Sequence, residues 1–153
     1  MFMSEERVRA ALDAAGIDYT ISRHGPVKSL AEAAAVRGVE PRQIVKTIVV
    51  RRGDGDYLFA LVPGDRTISW AKLRALLGVG RLSMPDADVA FEATGYERGT
   101  ITPFGSLTPW PVFVDESIAG QEISLGGGAH DVAVTLLAND AIKALGATVA
   151  DIT

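Results

Sequence analysis

Ile44-Val45-Lys46-Thr47-Ile48-Val49-Val50-Arg51-Arg52-Gly53-Asp54-Gly55-Asp56-Tyr57-Leu58-Phe59-Ala60-Leu61-Val62 is the stretch on which the fold turns. Its two ends are β-branched and aromatic runs of strand length, and the Gly/Asp segment between them supplies the backbone freedom of a tight connection. Together they predict a β-hairpin, with strands at 44–51 and 57–62. Side chains alternate across a strand, so Lys46 shares a face with Ile44, Ile48 and Val50. A lysine there must either snorkel to water or find a polar partner in a pocket, and both readings are open.

Outward from the hairpin, helices and strands mix without a repeating βα unit. Residues 4–15 place Val8, Ala11, Leu12 and Ala15 on one helical stripe, with Gly16 as the stop. Residues 17–22 alternate like a strand. Ser29-Leu30-Ala31-Glu32 forms a capping box that opens an Ala-rich helix ending at Gly38, and Pro41 begins a short turn. Ser69 caps a helix over 70–77 closed by Gly78, and a further helix starts at Pro85 and ends by Gly95. Strands follow at 111–115, 122–125 and 131–137. Asn139 or Asp140 then caps a last helix that ends at Gly146, before a terminal strand. This order predicts an α+β (α/β) fold, one compact domain over residues 1–153 with a mixed sheet.

The composition narrows the function classes. A chain of 153 residues, 48% apolar, can close a core of its own. It has no uninterrupted apolar stretch of membrane-spanning length, and its first nine residues carry charges where a signal peptide needs apolar ones. The absence of cysteine removes disulfides, thiolate metal sites and thiol nucleophiles. A soluble, cytoplasmic protein is the expectation. The net charge of -4 argues against a dedicated nucleic-acid binder. Its distribution is uneven: residues 1–98 hold 14 Lys/Arg against 13 Asp/Glu, and residues 99–153 hold one against six. Arg37, Arg42, Arg51, Arg52, Lys72, Arg74 and Arg81 could form a docking face for a polynucleotide or a scattered solvated surface.

Two further segments could carry chemistry. The loop Gly95-Tyr96-Glu97-Arg98-Gly99-Thr100-Ile101-Thr102-Pro103-Phe104-Gly105 combines glycines, which let a ligand approach backbone N–H groups, with a proline that fixes their direction. Such donors can support a developing oxyanion; a plain surface crossover is the alternative. In Gly126-Gly127-Gly128-Ala129-His130-Asp131, the glycines signal a bulge or a backbone crowded against a neighbour. His130 can serve as base, as donor or as an ordinary loop residue. Two histidines 106 positions apart, with no cysteine, give no metal set. There is neither a nucleophile elbow nor a phosphate loop.

Taken in sequence order, these pieces resemble the YbaK/ProX family of aminoacyl-tRNA deacylases, related to the editing insertion of bacterial prolyl-tRNA synthetases. The likeness is carried by His24-Gly25-Pro26 with the helix led by Ser29, then by Val45-Lys46-Thr47-Ile48-Val49. It continues through Thr94-Gly95-Tyr96 with Gly99-Thr100-Ile101-Thr102-Pro103-Phe104-Gly105, a G-x-x-x-P loop. Val112-Phe113-Val114-Asp115-Glu116-Ser117 and Gly126-Gly127-Gly128 complete it.

The resemblance implies a barrel-like mixed sheet packed by helices. It implies hydrolysis of the ester joining a small amino acid to the terminal ribose of tRNA(Pro), in trans, without cofactor or metal. Alanine, cysteine, serine and threonine all fit the family. Carried over to this sequence, Lys46 holds or polarises the substrate and Gly99 faces the ester carbonyl. His130 joins these as a catalytic candidate. His24, Thr47, Thr102, Pro103, Gly105, Gly127 and Gly128 bind substrate. The implied partners are the 3′ end of an aminoacyl-tRNA and a tRNA synthetase, with no membrane. A non-catalytic module that binds an amino acid or aminoacyl ester beside a synthetase is the competing reading.

Overall fold

The hairpin forms as its sequence predicts, and the two larger core clusters lie on its two faces. The computed structural model describes residues 2–153. Its helices are α1 (Phe2–Ala14), α2 (Leu30–Arg37), α3 (Trp70–Leu77), α4 (Ala87–Thr94) and α5 (Ala138–Leu145). Its strands are β1 (Tyr19–Arg23), β2 (Val45–Gly53), β3 (Asp56–Pro63), β4 (Val112–Asp115), β5 (Glu122–Gly126), β6 (Val132–Leu137) and β7 (Thr148–Ala150). Short 3₁₀ turns lie at Pro41–Gln43 and Glu116–Ile118.

The expected mixed, helix-packed architecture is present; its strands are divided between two sheets that form no closed barrel. One runs β1-β6-β5 and is antiparallel. The other runs β2-β3-β4-β7, antiparallel between β2 and β3 and parallel thereafter, so the expected mixed sheet is present. The main core lies between the sheets: Val45, Val49, Phe59 and Leu61 meet Ile123, Leu125, Val134 and Leu136, with Val8 and Leu12 of α1 closing one end. A second cluster covers the opposite face of the larger sheet, where Val50, Leu58, Ala60 and Val62 pack with Leu73 of α3 and Ile152. Strand β3 is therefore covered on both faces, which is why its sequence is a near-continuous apolar run rather than an alternating one.

The helix ends follow local chemistry closely. Ser29 accepts the N–H of Glu32 at 3.1 Å, and Ser69 that of Lys72 at 3.2 Å. The helix expected from Pro85 begins two residues later, with Asp86 as cap accepting the Val89 N–H at 2.9 Å. The last helix departs from expectation: it starts at Ala138 without a side-chain cap, and Asn139 instead accepts the Gly120 N–H at 2.9 Å.

At the far end of β4, Asp115 is fully buried and ties down the end of the described chain. It accepts the Ile152 N–H at 3.0 Å, the Thr153 hydroxyl at 3.1 Å, and both the N–H and hydroxyl of Ser117. Burial alone would push its pKa up, but these donors outweigh it and hold the carboxyl below the ordinary aspartate range.

Candidate functional site

Strand β2 is the edge of its sheet, and its outer side faces a cavity. The Phe59 N–H donates away from β2, to the Pro111 carbonyl at 2.8 Å, so its partner Val49 turns its own N–H and C=O outward. By alternation Thr47 does the same. Arg51 follows the same parity, and its outward groups exchange hydrogen bonds with Ser83 at 2.7 and 3.1 Å. Nearer the start of the strand, Ile44 bridges Ser124 of β5. Between these two bridges lies a cavity of about 570 Å³, floored by residues 44–49. Its other walls come from Pro85, Asp86 and Ala87 at the start of α4, from Arg98, Gly99 and Ile101, and from Gly126 and Arg37. That volume is within the range of small-ligand sites.

Three of the expected site residues line this cavity: Lys46, Thr47 and Gly99. Lys46 has an exposed side chain, and its ammonium donates to the Arg66 carbonyl at 2.8 Å. The face expected for it holds for Ile48 and Val50, whereas Ile44 precedes the strand and packs with Ala33 and Ala34 of α2. Thr47 points its hydroxyl the other way, where the oxygen is buried with no hydrogen-bond partner. Gly99 adopts φ 88°, and its N–H has no intramolecular acceptor among the described residues. A backbone donor held this way in a cavity wall can receive an oxyanion.

Beyond Ile101 the glycine-rich loop turns away from the cavity. Thr102 is fully buried and accepts the Phe104 N–H, and Pro103 is buried beside it. Gly105 packs under α1: a Cβ on it would lie 2.6 Å from the Arg7 carbonyl oxygen and 2.7 Å from the Tyr96 hydroxyl. Arg7 fastens both ends of the loop, donating to Gly95 O at 3.0 Å and to Gly105 O at 3.2 Å while its guanidinium lies over the Tyr96 ring. Thr102, Pro103 and Gly105 thus hold the loop's shape and do not line the cavity.

The second glycine segment also lies mostly away from the cavity. Gly126, not Gly127 or Gly128, reaches the cavity wall. A side chain at Gly126 would meet the Ile101 carbonyl at 3.0 Å, so glycine there lets β5 and the loop close on each other. The N–H groups of Gly127 and Gly128 are already given to Val132 O and Thr100 O. A Cβ on Gly128 would run into Val8 and the Ser4 carbonyl of α1. These two glycines mark a crowded backbone.

Neither histidine lines the cavity. His130 is exposed, with Nε2 3.1 Å from a Glu97 carboxylate oxygen, an ion pair across the two loops whenever the imidazole is charged. It lies close above the tip, since a Cβ on Gly99 would come 3.9 Å from its Cε1. His24 turns Nδ1 to the Gly25 carbonyl at 2.8 Å and leaves Nε2 buried without a partner.

Arg37, which the sequence offers only as one member of a candidate basic docking face, also lines the cavity. Among surface arginines it carries no distinguishing local signal, because its burial depends on β5, far along the chain. With Lys46 and Arg98 it makes three basic residues in the lining, the Lys46 ammonium being held at the Arg66 carbonyl. Asp86, the single carboxylate in the lining, is engaged as the α4 cap. A chain of net charge -4 therefore carries a locally positive cavity, which attracts anions irrespective of the total charge. Among the described residues no group of three His, Asp or Glu side chains could hold a metal ion, and no helix is long and apolar enough to cross a membrane.

Comparison with known proteins identifies the family of the chain. The proline–tRNA ligase of Geobacter sp. (strain M21) is 37% identical over 94 residues, covering 61% of this chain and 16% of that enzyme. The ligase of Trichlorobacter lovleyi is 31% identical over 114 residues, covering 74% and 20% respectively. The chain thus spans a fifth or less of the length of these relatives. A crystal structure described as a candidate trans-editing enzyme for prolyl tRNA synthetase superposes with a TM-score of 0.88 at 29% identity, covering 98% of this chain and 96% of that one. The aminoacyl-tRNA editing domain matches residues 24–144, from His24 through α5, and the resemblance read from the sequence is borne out at this level. The chain belongs to the aminoacyl-tRNA editing domain family.

Proposed function

We propose that this chain is a trans-acting deacylase that hydrolyses the ester of a mischarged aminoacyl-tRNA, with a small amino acid on tRNA(Pro) as substrate. The observation that carries this reading is the cavity lined by Lys46, Thr47 and Gly99, where the Gly99 N–H has no acceptor among the described residues. In the proposed reaction a water molecule attacks the ester carbonyl and the Gly99 N–H receives the developing oxyanion. The C–O bond to the ribose then breaks, the ribose oxygen takes the proton, and free amino acid leaves. The ribose hydroxyl next to the ester positions the water, so no side-chain base is required of an ester already activated for attack. Lys46 exchanges the Arg66 carbonyl for substrate oxygen. Its partners are the 3′ end of aminoacyl-tRNA and a synthetase, and its place is the cytoplasm, where charged tRNA is used.

The competing reading is a binding module that holds an aminoacyl ester without cleaving it. It is favoured by the lack of a free carboxylate or imidazole in the lining. The test is a panel of mischarged tRNAs that includes Ala-tRNA(Pro) and Cys-tRNA(Pro), assayed with wild-type and Lys46→Ala protein. Wild type is expected to clear at least one species roughly a hundredfold faster than the variant. Cleavage of none above the variant's rate ends the hydrolase reading. Saturable binding without turnover in calorimetry supports the module.

A further inference from the structure

Arg37 stands at the end of the cavity next to Ile44 and Gly126, in the last turn of α2. Four other arginines have a carboxylate in ion-pair range: Arg23 with Glu5, Arg42 with Glu40, Arg51 with Asp54 and Arg52 with Asp56. Arg37 has none among the described residues. Its Nε is buried without a partner, and its one hydrogen bond is a long one, 3.4 Å to the Ser124 hydroxyl. Burial pulls the guanidinium pKa below the ordinary arginine value, with no neighbouring charge to offset it. The carbonyl end of α2 favours a cation, but Gly38 and Val39 already take the carbonyls of Ala35 and Ala34. A planar fork of donors, half out of water and held by a single long hydrogen bond, can receive an oxyanion that accepts two parallel hydrogen bonds.

The proposed substrate limits what that anion can be. While the ester is intact the amino acid has no carboxylate, and the negative charge nearest the scissile bond is the phosphate one ribose away. We propose that Arg37 anchors the phosphate on the 5′ side of the terminal adenosine, and so sets how far the ester reaches toward Gly99. This rests on the deacylase reading for the identity of the substrate, yet it can fail or stand separately from it.

Binding is measured first, by calorimetry with adenosine and with adenosine 5′-monophosphate. Wild type is expected to bind the monophosphate about tenfold or more tighter than the nucleoside, the scale of a charge-assisted pair. Arg37→Gln is expected to lose that difference while still binding adenosine, and Arg37→Lys to keep part of it as a point charge. Turnover is measured next, on 3′-O-alanyl adenosine with and without a 5′-phosphate. The phosphate is expected to raise kcat/KM in wild type and not in Arg37→Gln, while the phosphate-free ester is cleaved equally by both.

Equal binding of monophosphate and nucleoside by wild type overturns the proposal. So does an Arg37→Gln protein that retains the preference, or one whose loss falls equally on both esters. If Arg37→Gln loses inhibition by free alanine and keeps the phosphate preference, the ligand is the product carboxylate and the proposal falls. Phosphate-dependent binding through Arg37 with no cleavage of either ester or of any mischarged tRNA upholds the anchor and ends the deacylase reading.

Discussion

At its base the loop 95–105 is built like core, and at its tip like a receptor. Tyr96 is 0% exposed, donates its hydroxyl to the Phe104 carbonyl at 2.7 Å and lies under Arg7, while Gly105 has the Arg7 backbone and the Tyr96 hydroxyl closer than any side chain would allow. Three residues on from Tyr96, Gly99 has only His130 within 4 Å of a notional Cβ and an N–H with no acceptor. The difference shows how a flexible sequence can present a fixed donor: the rigidity is supplied by α1 and Tyr96 beneath the tip, not by the tip itself. It follows that substitutions at the base should act on stability and substitutions at the tip on activity.

Gly105→Ala should break the base most severely. The left-handed conformation at φ 73° is strained for alanine, and the new methyl meets the Arg7 carbonyl. A loss of roughly 3 kcal/mol follows, which thermal unfolding would register as a fall of about 10 °C in Tm. Tyr96→Phe comes next. It strands the buried Phe104 carbonyl, for about 1–3 kcal/mol, with activity preserved below the melting transition.

The same tyrosine gives a pH signature. Burial raises its pKa from 10.0 to about 12, against a smaller lowering by Arg7. Because the folded state holds this proton more tightly, the stability it contributes is complete below pH 10 and is lost as pH rises toward 12. Wild-type Tm should fall across that window more steeply than the Tm of Tyr96→Phe; parallel curves would show that Tyr96 is not sealed.

Gly99→Ala sharpens the contrast. The site has room for a methyl but φ is 88°, so about 1–2 kcal/mol of strain is expected, together with a loss of deacylation at least tenfold larger than in Tyr96→Phe. His130→Gln should have the smallest effect. Its pair with Glu97 is exposed, so stability should change by less than about 0.5 kcal/mol. Activity should stay within about threefold, far from the ~10²–10⁴-fold loss expected for a general base. A loss of that larger size would put His130 in the reaction.

What could be read in the sequence was what short-range chemistry decides. The hairpin, the Ser29 and Ser69 caps and the glycine stops at 38, 78, 95 and 146 depend on residues within one or two turns. Gly99 and Lys46 became site candidates only through the likeness to the editing family, because a Gly/Pro loop suits a surface crossover as well and a lysine in an apolar strand can simply snorkel. The pairing of β1 with β6 joins Tyr19 to Leu136, and no local pattern told two sheets from one barrel. Gly127 and Gly128 show the ambiguity of a glycine run, since the same residues suit a ligand wall and a tightly packed backbone. Arg37 could be read only as one of several basic surface residues, because its place in the cavity is assembled from β5 and the floor of β2.

The open edge of β2 also bears on how copies of the chain behave toward one another. An unpaired strand edge is a template on which a second molecule can add a strand of its own. Here the Ser83 bridge occupies Arg51 and β5 crosses at Ile44. The free stretch around Thr47 and Val49 is thus about three residues, or roughly 10 Å, well short of an average strand. Backbone groups that can serve a single small guest are withheld from sheet extension, so the molecule can keep a polar slot without seeding fibrils.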